Sequence, residues 1–135
     1  MPIYRAMKFN TNGLDHGFVI QPLLVDRPMD WGFWCENGKI EGISLTRKLG
    51  PNFANYIAFV DENGKENDWY IGVKPEMNNL NKSQMNILER MKPYVLKLCK
   101  DFKFVRVDMY CINDKIYFGE MTFTPCSGDL DINYK

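Results

Sequence analysis

The sequence predicts an α+β fold: an antiparallel β-sheet built from three hairpins, with one long helix packed on a face. Three observations carry that expectation. Turn pairs recur between runs rich in aromatic and β-branched residues, at Asn37-Gly38, Asn63-Gly64 and Asn113-Asp114. One segment alone, near residues 82–101, shows helical periodicity. The chain of 135 residues, without internal repeat or low-complexity linker, fits a single domain over residues 1–135, with residues 1–16 poorly assigned.

The elements follow in order. Phe18–Val25 reads as a strand, and Pro22 lacks a ladder donor, which places it at an edge or where pairing stops. Asn37-Gly38 joins Trp31–Glu36 to Lys39–Leu45, and Asn63-Gly64 separates Tyr56–Asp61 from Trp69–Val73. Asn-Gly tolerates the positive φ that tight hairpin turns need. Residues 46–55 and 74–80 read as loops, punctuated by Gly50-Pro51 and Lys74-Pro75. The helix starts with Asn81 and Gln84 in capping-box spacing. Ile87, Met91, Val95, Leu98 and Phe102 form its apolar stripe, a core-packing face, and Pro93 is expected to kink or split it. The last hairpin joins Phe104–Ile112 to Ile116–Phe123 through Asn113-Asp114.

Composition excludes several function classes. Seventeen Lys and Arg balance seventeen Asp and Glu, so no broad field draws nucleic acid or anionic membrane. The longest apolar runs fall far short of the ~20 residues that span a bilayer. No basic-then-apolar leader opens the chain, and reduced thiols in the cytoplasm are the expectation. Cys35, Cys99, Cys111 and Cys126 lack C-x-x-C spacing, and His16 is the only histidine, which disfavours zinc. One histidine and no G-x-S-x-G motif disfavour a Ser/His/Asp triad; a Cys–His pair using His16 has nothing to support it.

The last hairpin carries the chemistry. Alternation places Val105, Val107, Met109 and Cys111 on one face of its first strand, and Phe104, Arg106, Asp108 and Tyr110 on the other. On the second strand Ile116, Phe118, Glu120 and Thr122 are expected to share a face. Charges inside apolar strands are costly when buried and unpaired, so Arg106, Asp108 and Glu120 suit a polar cleft. From spacing alone, a structural Arg106–Asp108 pair beside a solvated Glu120 is the simpler reading.

Arg106-Val-Asp108-Met-Tyr, followed by Lys115-Ile-Tyr-Phe-Gly-Glu120-Met-Thr-Phe-Thr-Pro125-Cys-Ser-Gly128, resembles the carboxy-terminal motif of ATP-grasp enzymes. The likeness is to the TupA-like group, named for teichuronopeptide biosynthesis. Trp31-Gly-Phe-Trp-Cys-Glu-Asn-Gly-Lys39 resembles the strand-turn motif that this group carries upstream. The resemblance is strong over residues 103–128, fair over 31–47 and poor before residue 17.

The resemblance implies roles. Asp108 and Glu120 match the magnesium-binding carboxylates, and Thr122 stands where a third oxygen ligand is usually an asparagine. Magnesium favours such hard oxygen ligands, usually one or two carboxylates plus substrate phosphates. Arg106 matches the arginine that stabilises phosphate or the anionic intermediate. Gln21, Leu23, Leu24 and Asp26 align with the segment that holds adenine and ribose, although Gln21 replaces an acid and Pro22 removes a donor. Lys8, before a glycine-containing loop, resembles a phosphate-binding lysine. Gly32 stands where a basic residue is expected. The chain looks like the second lobe of an ATP-grasp unit, so a partner chain supplying the missing lobe is one expectation and a fragment is another.

A complete relative would use ATP and Mg2+ to activate a carboxylate as an acyl phosphate and couple it to an amine. The likeness points to a small-molecule or glycan-linked substrate in cell-surface polysaccharide or polypeptide conjugate biosynthesis. A catalytically inactive nucleotide- or partner-binding module is the alternative, and a plain β-rich interaction domain is the third.

Register gives the sharpest test. A plain two-residue Asn113-Asp114 turn pairs Ile112 with Lys115, sets Asp108 against Gly119, and puts Glu120 on the opposite face. A shared metal site requires an odd offset. Either a three-residue loop or a two-residue turn plus a bulge supplies it.

Overall fold

The computed structural model describes residues 4–8, 18–22, 29–50, 53–124 and 132–134. Strands β3 (Asp30–Glu36), β4 (Lys39–Gly50), β5 (Phe53–Val60), β7 (Phe104–Ile112) and β8 (Lys115–Thr122) form a five-stranded sheet in the order β5-β4-β3-β7-β8. Every neighbouring pair is antiparallel. Helix α1 (Lys82–Cys99) carries the chain from the β5 side back across the sheet, so that β7 lies beside β3. Strands β1 (Tyr4–Lys8) and β2 (Phe18–Pro22) pair with each other, as do β6 (Trp69–Ile71) and β9 (Ile132–Tyr134). The α+β class stands.

Two hairpins form as expected, at Asn37-Gly38 and Asn113-Asp114, with positive φ at all four turn residues. The middle one does not. The chain does reverse at Asn63-Gly64, where the Asp61 carboxylate accepts from the Asn63 and Lys65 amides at 2.8 and 2.9 Å. Beyond a single bridge between Val60 and Glu66, however, pairing stops, and β6 joins β9 instead. The third hairpin of the sheet is β4–β5, running through the segment expected to be a loop at 46–55. Cross-strand pairing outweighs the expected break on both sides of it: β4 runs to Gly50 and β5 starts at Phe53. Pro22 pairs with Tyr4 at the end of its ladder, as a residue without a donor should. Residues 23–25 of the expected second strand lie outside the described residues.

The helix begins with the expected capping box. Asn81 accepts from the Gln84 amide, and Gln84 accepts from the Asn81 amide, each at 2.9 Å. It runs through Pro93 without splitting. The buried stripe is Leu88, Met91, Val95 and Cys99, one position away from the expected set at both ends. Ile87 and Leu98 are only partly buried beside it, and Phe102 lies past the helix and is exposed. The stripe packs with Trp31, Phe33 and Cys35 of β3, Ile43 and Leu45 of β4, and Val105, Val107 and Met109 of β7. Burying such side chains stabilises the fold by about 1.5–3 kcal/mol each. This core leaves the other face of β3 and β7 free for polar residues.

Candidate functional site

The polar face is ordered by the pairings of β7. Arg106 stands between Trp34 on β3 and Thr122 on β8. Asp108, the next residue on that face, stands between Gly32 and Glu120. The two-residue turn is retained, with Ile112 opposite Lys115, and the odd offset comes from a bulge between Asp108 and Met109. Gly119 is the extra residue. A Cβ on Gly119 would meet Tyr110 Cε2 at 2.5 Å and the Asp108 carbonyl oxygen at 2.9 Å, so the bulge closes only over glycine. The bulge also corrects the expected face of β8. Phe118 pairs with Met109, and Ile116 with Cys111, on the helix side, whereas Glu120 and Thr122 share the side of Asp108 and Arg106.

Arg106 is held from several sides. Its Nε and Nη2 each donate to an Asp108 carboxylate oxygen at 2.8 Å. Its Nη2 lies 3.7 Å from Glu120 Oε1. The guanidinium sits over the Trp34 ring, 5.4 Å from the ring centre. Trp34 is itself fixed, because its indole N–H donates to Ser44 Oγ at 3.0 Å, and Ser44 Oγ donates to the Gly32 carbonyl at 3.4 Å. The simple Arg106–Asp108 ion pair therefore exists, and Glu120 stands beside it with half its side chain exposed.

Asp108 lines the cleft but is itself buried, at 7% exposure. Burial pushes its carboxyl up to about 6; hydrogen bonding and charge from Arg106 pull it back, and Glu120 and Asp30 add repulsion. Burial is a larger cause than the facing Glu120 carboxylate. For Arg106, burial opposes the charge, but Asp108 and then Glu120 more than offset it and raise its pKa.

These groups line a pocket of about 170 Å³, together with Asp30, Ser44, Thr46, Tyr56 and Tyr110. Sequence reading missed Asp30, Trp34 and Ser44 as parts of the site. Their signal was the alternation Asp30, Gly32, Trp34, which becomes legible only once β3 is known to pair with β7. Among the described residues, no three His, Cys, Asp or Glu side chains converge as a metal ligand set. A metal here would rest on two carboxylates. Lys8 and Gln21 lie on the β1–β2 pair, opposite Phe18 and Arg5. Leu23, Leu24, Asp26, His16 and Cys126 lie outside the described residues. Cys35 and Cys99 are buried free thiols, as expected of core cysteines.

The sequence matches the TupA-like ATPgrasp family over residues 24–135. The chain belongs to the TupA-like ATP-grasp family. Comparison with curated proteins finds no match, and comparison with solved structures finds none. ATP-grasp proteins generally use ATP and Mg2+, and the fold implies nucleotide binding. No helix among the described residues is long and apolar enough to cross a membrane.

Proposed function

We propose that the polar face of β7 and β8 binds MgATP, and that the chain supplies the metal-binding part of a carboxylate–amine ligase. The observation that carries the reading is the Gly119 bulge, which sets Asp108 opposite Glu120 on one face beside Arg106. Opposed residues at this spacing have Cβ atoms roughly 4.5–5.5 Å apart, close enough for two carboxylates to share a cation. Their repulsion, with Asp30 nearby, is what a dication relieves. Asp108, Glu120 and the Thr122 hydroxyl offer the hard oxygens magnesium favours, with phosphate or water oxygens completing the shell. When bound, magnesium neutralises charge on the transferred phosphoryl group. Arg106 is already oriented by Asp108 and Trp34, so it can face an anion without first losing side-chain freedom. Lys8, Gln21, Leu23, Leu24 and Asp26 complete the nucleotide site in this reading. The acceptor is an amine and the donor a carboxylate, in a cytoplasmic pathway for cell-surface polysaccharide or polypeptide conjugates, with a partner chain supplying the other lobe.

A second reading has its own support. Gly32 replaces the expected basic residue, and a Cβ there would lie 2.6 Å from Ser44 Oγ and 3.4 Å from Asp108 Oδ1. This pocket has no room for a long cation from β3. A chain that binds nucleotide without turning it over fits that departure. Calorimetry with ATP and Mg2+ tests binding, and phosphate release tests turnover. Isosteric Asp108→Asn with Glu120→Gln is the informative variant, because it removes both carboxylates while keeping the side-chain shapes and one acceptor for Arg106, and circular dichroism checks that it folds. Magnesium-dependent binding by the wild type, lost in the folded variant, is expected. Equal binding by both, or none by either, overturns the site.

A further inference from the structure

Arg106 already sits where a cation would. Its Nε and Nη2 donate at 2.8 Å to the two oxygens of the Asp108 carboxylate, a fork that engages both oxygens with one guanidinium. The Asp108 side chain is almost wholly buried, so it offers little further surface to a second cation. Glu120 differs. Half of its side chain is exposed, and its Oε1 lies 3.7 Å from Arg106 Nη2, beyond hydrogen-bond distance. One carboxylate of the facing pair is locked and the other is open.

Magnesium takes carboxylate oxygens directly, at about 2.0–2.1 Å. A dication at that distance from Asp108 repels a guanidinium 2.8 Å from the same oxygens, in a setting where burial weakens screening. Arg106 must then give up the fork. Its released N–H groups need a new acceptor, because a partly buried guanidinium without one is costly. The Trp34 ring supports the charge from 5.4 Å, but an indole accepts no hydrogen bond in place of a carboxylate oxygen. Glu120 offers a second seat, yet in the MgATP reading it holds the cation too. A phosphate oxygen meets the need. Trp34 is anchored on Ser44 and packed against Phe59 and Trp69, so the guanidinium can turn on a fixed ring.

We propose that Arg106 makes cation binding conditional on a phosphate anion: its fork on Asp108 holds the site against free divalent metal, and opens when an anion takes over the guanidinium. The proposal rests on the MgATP reading and adds to it that metal and phosphate bind as a cooperative pair. Such coupling is reciprocal, so metal should tighten phosphate by the same factor as phosphate tightens metal.

The test is calorimetry with Mg2+ and inorganic phosphate at about pH 8, where carboxylates are normally ionised. For the wild type, Mg2+ alone should bind weakly, and saturating phosphate should tighten it by about tenfold or more. Arg106→Gln removes the charge and the fork. It should bind Mg2+ alone about tenfold tighter than the wild type and gain nothing from phosphate. Should that variant fail to fold, the wild type decides by NMR. The Arg106 Nε–H resonance should stay in place with Mg2+ alone and shift when phosphate follows; a shift with Mg2+ alone overturns the proposal. Equal wild-type affinity for Mg2+ with and without phosphate, or a folded Arg106→Gln that binds Mg2+ no tighter, overturns the guard and leaves the metal site standing. Absence of Mg2+ binding in both proteins, with phosphate or with ATP, overturns the metal site and the guard together.

Discussion

Asp108 shows how one buried carboxylate contributes to the pH dependence of the fold. Its folded pKa, about 6, lies above the unfolded value of 3.8, so the folded chain holds the proton more tightly. The resulting stabilisation is complete below about pH 4 and is lost as pH rises through about 6, a change of roughly 3 kcal/mol at most. Asp108→Asn should flatten this slope; denaturant titrations of both proteins between pH 4 and 7.5 measure it. Metal binding should run the other way. Below pH 6 a proton competes for the same oxygens, so magnesium affinity should fall by up to about tenfold per pH unit. The sequence exposed the alternation of Arg106 and Asp108, and so their shared face. It did not expose the burial of Asp108, because burial depends on Trp34, Ser44 and Glu120 arriving from three other strands.

At the level of elements, the helix and the bulge carry the informative substitutions. Leu88 is fully buried, and Leu88→Ala should cost about 2–5 kcal/mol. Phe102 lies outside the stripe, and Phe102→Ala should cost much less; thermal melts of the pair distinguish the observed stripe from the expected one. Period placed the helix and the Asn81/Gln84 spacing its cap, but residues 87 and 88 differ by only one step around the axis. Which of them is deepest is decided by the sheet beneath. Gly119→Val should destabilise the hairpin by about 1–3 kcal/mol, since the added Cβ presses on the Asp108 carbonyl. Magnesium titration of that variant should show weaker binding than its residual fold would suggest. The Gly119 bulge was legible only as a requirement of register. The missed β4–β5 hairpin has a different cause: Gly50-Pro51 reads as a general breaker, and nothing local says that strands resume at Phe53.

Across the whole molecule, β7 separates two functions by alternation. Its odd residues Val105, Val107 and Met109 face the helix, and its even residues Arg106 and Asp108 face the pocket. Val107→Asp should therefore abolish the folded state, because an unpaired charge would replace a side chain with no exposure. Circular dichroism should show loss of both helix and sheet. Asp108→Asn with Glu120→Gln should leave that spectrum unchanged. A folded Val107→Asp protein would contradict the packing of α1 on β7.

The stacking of Arg106 on Trp34 makes the site self-reporting. Trp34 is one of three tryptophans and is almost wholly shielded from water. Its indole emission should respond to the cation lying on its face. An anion bound against the guanidinium should change that emission, while Trp31, on the helix side, is shielded from the event. Titrating unlabelled protein with ATP and magnesium should therefore give an intrinsic optical signal that survives Trp31→Phe and Trp69→Phe, the latter removing the ring 6.3 Å from Trp34, and disappears in Trp34→Phe.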